Sequence, residues 1–205
     1  MQQEMLHLPG YRVNDYQLVL VPHEELRAKI LRVKQEFATK YRLPYNPVSR
    51  AWLPLVYFTQ YQMMEERIMN RLKLVAMAHY PFKVEMRGFG SFPSHTVFID
   101  VPTRAPVQEL VRQVRQDTQR LMKFSEEQKP HFISDPHISI GTRLKPWQYE
   151  QGWLEYSHRP FSGKFIADSM LLLRKPAGEA GFRPVQKFSF QNLPVNTKQG
   201  ELFGF

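Results

Sequence analysis

An α+β fold is what this 205-residue sequence predicts: two pseudo-symmetric lobes, each a mainly antiparallel sheet with helices, facing a central cleft. Three observations lead there. Short β-branched and aromatic runs alternate with segments whose apolar residues recur at helical spacing. The order helix, strand, helix, strand, strand occurs over 24–101 and again over 106–174, and Pro81-Phe82 of the first copy has a counterpart in Pro160-Phe161 of the second. No Pro/Gly/Ser-rich linker parts the copies. Residues 1–190 therefore read as one bilobal domain, with lobe 1 about 16–101, lobe 2 about 106–190, and 191–205 a Pro- and Gly-containing peripheral tail.

The elements follow in order. Residues 16–21 (YQLVLV) read as a strand closed by Pro22. Residues 24–41 are helical, with Leu26, Ile30, Val33 and Phe37 on one stripe. Pro44 and Pro47 make 43–49 a loop, and 51–59 is strand-like. Met64, Ile68, Leu72 and Val75 form the buried stripe of a helix over 62–78, whose methionines read as core packing. Strands over 82–87 and 96–101 are joined by a turn around Gly88-Phe89-Gly90. Pro106 opens a helix to about Met122, where its missing N–H costs little. A strand over 136–142, a short helix over 146–156 and strands over 161–166, 169–174 and 185–190 complete the chain.

Composition narrows the function. The sequence has no Cys, which excludes disulfides, thiolate metal sites and Cys nucleophily and fits a reducing cytoplasm. No signal peptide and no run of transmembrane length is visible, so a cytoplasmic protein with no membrane contact is expected. The net charge of +9 favours a polyanionic partner, although solubility alone explains many basic surfaces. No Asp/Glu/His cluster has metal-ligand spacing, and neither a metal nor a cofactor is expected. Gly178-Glu179-Ala180-Gly181 is a turn and matches no phosphate loop.

Pro136-His137-Ile138-Ser139-Ile140 carries the chemistry. In a strand, i and i+2 share a face, so the His137 imidazole and the Ser139 hydroxyl project side by side, suited to holding and protonating a phosphate oxygen. The bland alternative is a buried strand histidine bonded to backbone. Trp52-Leu53-Pro54-Leu55 stands 85 residues earlier in matching context, with Trp and Pro where His and Ser would be.

On these residues the sequence resembles the 2H phosphoesterase superfamily, and within it the bacterial 2′-5′ RNA ligase-like group, over roughly 15–175. That family has two lobes and two H-x-[T/S]-x motifs, one per lobe, on strands facing a cleft. The second motif matches at His137 and Ser139; the first is degenerate at Trp52 and Pro54. The resemblance implies one histidine as general base, the other as general acid, hydroxyls holding the non-bridging oxygens, no metal, and 2′,3′-cyclic or 2′-5′ phosphodiesters of RNA ends or nucleotides as substrates. Indole exchanges no proton at neutral pH and Pro54 offers neither hydroxyl nor N–H, so weakened catalysis is expected, with a non-catalytic module binding an RNA end or nucleotide as the alternative.

Other residues bear on the site less directly. Trp52 either stacks on a base or fills the cleft. His95 reads as an ordinary strand-entry histidine, since Thr96 at i+1 should face away from it, and is kept only as a possible replacement for the lost histidine if its strand lies beside Trp52. Arg143 either binds phosphate or is solvated, His131 reads as a surface histidine, and Lys145 and Arg50 are rim cations. Gln199 to Phe205 resembles the Gln-x-x-Leu-Phe peptides that dock on DNA sliding clamps, or else folds back on the core.

Overall fold

The structure is a computed structural model, which describes residues 10–43 and 51–193. The elements are β1 (Val13–Leu20), α1 (Glu24–Lys40), β2 (Leu53–Tyr61), a 3-10 turn (Gln62–Met64), α2 (Glu65–Ala78), β3 (Phe82–Arg87), β4 (Phe89–Phe92), β5 (Thr96–Asp100), α3 (Arg104–Met122), β6 (His131–Phe132), β7 (His137–Gly141), α4 (Pro146–Tyr156), β8 (Ser162–Ala167), β9 (Ser169–Pro176) and β10 (Arg183–Ser189). The predicted helices are present. α3 starts at Arg104, two residues before Pro106, which is tolerated in the first turn because the N–H it lacks would have no intrahelical partner.

The strands form antiparallel sheets: β10-β9-β1-β2-β6, β4-β5-β7 and the pair β3-β8. Each large sheet therefore takes strands from both halves of the chain. β4 and β5 join β7, while β6, β9 and β10 join β1 and β2, so the lobes are not the contiguous spans 16–101 and 106–190. The start of β4 was expected as a turn, and β6 was not among the expected strands. Both are short, and pairing with β5 and β2, more than local sequence, makes them strands.

One plan is followed twice. Strand, helix, strand, helix, strand, strand is β1-α1-β2-α2-β3-β4 and then β5-α3-β7-α4-β8-β9, with β6 and β10 as additions. β1 pairs with β2 as β5 pairs with β7, and each copy's last strand crosses to the other copy's sheet. β3 and β8 pair with each other between them.

Helices cover one face of each sheet. α2 and α3 back the five-stranded sheet, where Tyr16 donates to Glu65 (3.0 Å) and Gln60 donates to the Leu121 carbonyl (2.9 Å). α1 and α4 back β4-β5-β7, where Phe37 packs so closely that a Cβ on Gly141 would stand 2.5 Å from its ring. The opposite, inner faces border the cleft. At the far end, backbone N–H groups of Gln191, Asn192 and Leu193 donate to carbonyls of Ala76, His79 and Met77, fastening the chain to the end of α2. No helix among the described residues is long and apolar enough to cross a membrane.

Candidate functional site

β7 and β2 approach within 8 Å between Cα atoms and carry the two stretches singled out by sequence. His137 opens β7 opposite Asp100, and Ser139 lies opposite Phe98. Both are half-buried, whereas Ile138 and Ile140 between and after them are buried. The expected side-by-side placement of His137 and Ser139 is what this alternation describes.

The imidazole is braced. Its Nδ1 stands 2.7 Å from the carbonyl oxygen of Asp135, which can only accept, so Nδ1 carries the proton and Nε2 is left for a ligand. Phe92 meets the ring edge-on at 4.9 Å and Phe98 lies at 4.8 Å. Arg104 ties the surrounding chain together, donating to the carboxylates of Asp135 (3.1 Å) and Asp100 (3.2 Å). Phe98 itself lies across Gly90, its neighbour on β4; a Cβ there would collide with the ring. Sequence reasoning missed Phe92, Phe98, Arg104 and Asp135. The run Phe-Pro-Ser-His before β5 and the Asp135-Pro136 step before the motif were the signals available.

β2 repeats the local backbone of β7. In β7, Ile138 pairs with Ile99, Ser139 with Phe98 and Gly141 with Val97, leaving Ile140 as a bulge. In β2, Leu53 pairs with Leu20, Pro54 with Val19 and Val56 with Leu18, leaving Leu55 as a bulge. Every correspondence has the same offset of 85 that relates Trp52 to His137. The bulge also explains how a proline sits inside a sheet, since Pro is confined to edges and bulges. Trp52 is half-buried just before the strand, and Pro54 is buried. Further along the inner face, Gln17 is 1% exposed between Tyr57 and Leu173, and its side-chain oxygen has no hydrogen-bond partner among the described residues.

His95 does not lie beside Trp52. Its turn precedes β5, which runs between β4 and β7 in the other sheet. Nor does Thr96 turn away from it: Nδ1 is 2.7 Å from Thr96 Oγ1, because the residue lies in a turn where strand alternation does not apply. Phe92 stands between the two histidines, 6.4 Å from His95 and 4.9 Å from His137. Arg143 is exposed with a left-handed backbone (φ 52°) in the loop after β7, and the next N–H, of Leu144, donates to the His95 carbonyl (3.1 Å). His131 is exposed on β6, its ring 6.5 Å from that of Tyr57. Lys145 caps α4. Arg50 and the segment 199–205 lie outside the described residues.

A model of the 2′-5′ RNA ligase superfamily matches residues 22–179. The chain belongs to the 2′-5′ RNA ligase superfamily. Solved structures agree on the fold. TT0787 of Thermus thermophilus superposes with a TM-score of 0.61 at 19% identity, covering 86% of this chain and 98% of that one. LigT of E. coli, complexed with 3′-AMP, gives 0.60 at 14% identity, covering 87% and 98%. LigT has also been crystallised with ATP and with phosphate. No curated protein matches. The superpositions bear out the two-lobed α+β expectation. Among the described residues no group of three or more His, Cys, Asp or Glu could hold a metal ion.

Proposed function

We propose that the cleft binds a cyclic or 2′-5′ phosphodiester of an RNA end or nucleotide at His137 and Ser139, with turnover weakened by Trp52 and Pro54. The observation that carries this reading is the braced imidazole: Nδ1 is committed to Asp135, so Nε2 is the nitrogen offered to a ligand, on the same face as the Ser139 hydroxyl. The matching bulges of β2 and β7 support Trp52 and Pro54 as occupants of the first motif's His and Thr/Ser positions. Nucleotide and phosphate complexes of LigT, a protein of the same fold, are in keeping with such a ligand.

In hydrolysis of a 2′,3′-cyclic phosphate, the Ser139 hydroxyl donates to a non-bridging oxygen. Water adds to phosphorus, the bond from phosphorus to one ribose oxygen breaks, and protonated His137 passes its Nε2 proton to that oxygen. Solvent takes the proton released by the water, where a second imidazole would have taken it. Loss of one acid–base partner typically costs on the order of 10²–10⁴ in rate. A module that binds the same ligand without turnover is the second reading, favoured by the same Trp52 and Pro54 positions.

Hydrolysis of 2′,3′-cyclic nucleotides by the wild type and His137→Ala, with binding followed by calorimetry, tests both. Turnover in the wild type should fall by about 10²–10⁴ in the variant. Binding without turnover, weakened in the variant, selects the second reading. Hydrolysis and binding untouched by the substitution would remove His137 from the site.

A further inference from the structure

We infer that the groove between α3 and β6 binds the single-stranded RNA segment adjoining the phosphodiester held in the cleft. The inference rests on the RNA-end reading above and extends it from nucleotide to polymer. The groove has a volume of about 280 Å³ and is lined by Gln108, Val111, Arg112, Arg115 and the run Phe132 to Ser134. That is close to the lower end of small-ligand pockets, roughly 300–1,000 Å³, and suits one nucleotide better than a folded partner.

Its chemistry is that of a base platform with a phosphate contact. The Arg115 guanidinium lies over the Phe132 ring at 5.8 Å, and its Nε donates to the neutral Gln119 side chain (3.2 Å), a bond that leaves its charge uncompensated. Arg112 is held by the Glu109 carboxylate (2.7 Å) and Arg115 is not, so the pair carries two cations against that one carboxylate. Guanidinium and aromatic planes stack on any base, and a cationic groove tracks the backbone.

The groove also continues the site. His131 pairs with Tyr57, on the inner face, while Phe132 pairs with Val56, on the helix side. Ser134 forms part of the groove wall, and the next residue, Asp135, supplies the carbonyl that holds His137. Residues 131–135 thus run from the rim of the cleft, along the groove, to the brace of the imidazole. A strand whose end sits at His137 has a marked path around the β6 edge.

The test compares three probes on the full chain: adenosine 2′,3′-cyclic phosphate, an adenylate hexamer ending in the same cyclic phosphate, and an acidic hexapeptide. The wild type should bind the hexamer more tightly than the mononucleotide. Arg112→Gln with Arg115→Gln should weaken the hexamer about tenfold and leave the mononucleotide unchanged. The slope of log affinity against log salt should shrink by about 1.4, two contacts at about 0.7 each on a single strand. Phe132→Leu should weaken the hexamer without changing that slope. Hexamer binding no tighter than the mononucleotide, or indifferent to both arginines, overturns the groove and leaves the cleft reading intact. Arg-dependent binding of the peptide in place of the hexamer overturns it too, in favour of a protein ligand. If neither nucleotide probe binds the wild type, both readings fall.

Discussion

β2 and β7 have the same backbone and different chemistry. Both carry a one-residue bulge at the same place, at Leu55 and at Ile140, and each bulge follows two alternate positions, one and three residues before it. On β7 those positions hold His137 and Ser139, half-buried and surrounded by Phe92, Phe98 and the Arg104-linked carboxylates. On β2 they hold Trp52 and Pro54, and the floor beside them, Val19, Gln17 and Leu173, is buried. A bulge is a backbone device, held in place by the ladder on either side and by what packs behind it. It persists when the side chains in front of it change. The framework for two reactive groups is therefore present twice, while proton-transfer groups stand on it once.

The sharpest way to test that contrast is to remove it. Trp52→His together with Pro54→Thr gives both strands an imidazole and a hydroxyl at equivalent positions. Hydrolysis of 2′,3′-cyclic nucleotides should rise about tenfold or more, since a positioned acid or base is worth on the order of 10²–10⁴. The folded state should tolerate the change, because the bulge admits a residue with an N–H as readily as proline. A well-folded double variant with no gain would show that Trp52 and Pro54 do not occupy the positions of a catalytic pair.

A smaller effect comes from the side of the comparison that holds His137. Gly90 is needed because the Phe98 ring crosses it on the inner face. Gly90→Ala should force Phe98 aside, costing about 1–3 kcal/mol in a urea-unfolding experiment by overpacking, and lowering affinity for a cyclic nucleotide through the displaced neighbour of His137. The corresponding place on β1 is taken by Val19, so the β2 side has no ring to displace. Stability equal to wild type would mean that the ring moves freely and does not fix the imidazole.

Much of this was readable from the residues. The apolar stripes of α1 to α3 were visible at helical spacing, and His137 with Ser139 stood out because strand alternation puts them on one face. The exchange of strands between the halves was not readable. β9 is chosen by a pairing partner distant in sequence, β1, and although β4 pairs with its neighbour β5, nothing in Phe89-Gly90-Ser91-Phe92 says that it adds there. The brace of His137 escaped for a similar reason. Its acceptor is a backbone carbonyl, that of Asp135, and every residue has one. The expected separation of Thr96 from His95 failed because alternation was applied to a residue that lies in a turn. The bulge, by contrast, converts the Trp52–His137 correspondence from a resemblance of context into a matched register.

The smallest effect concerns a second pair of equivalent residues. His79-Tyr80-Pro81-Phe82 follows α2 as His158-Arg159-Pro160-Phe161 follows α4. His79 is buried against Phe82 and Phe190 with Nδ1 3.1 Å from the Gln113 side chain, whereas His158 is exposed. Burial holds the His79 pKa below its ordinary value of 6.5, only partly offset by Gln113 and the nearby Glu109 carboxylate. The unfolded chain therefore binds a proton that the native state refuses, in the window from the lowered native value up to 6.5. Stability contributed by neutral His79 is complete above that window and is lost as pH falls through it. Urea midpoints at pH 7.5 and 5.5 should differ less in His79→Gln than in the wild type, with His158→Gln as the exposed control. An unchanged difference in His79→Gln would mean that this histidine is protonated as readily in the folded protein as in the unfolded chain, and that burial at the end of α2 does not distinguish it from its counterpart after α4.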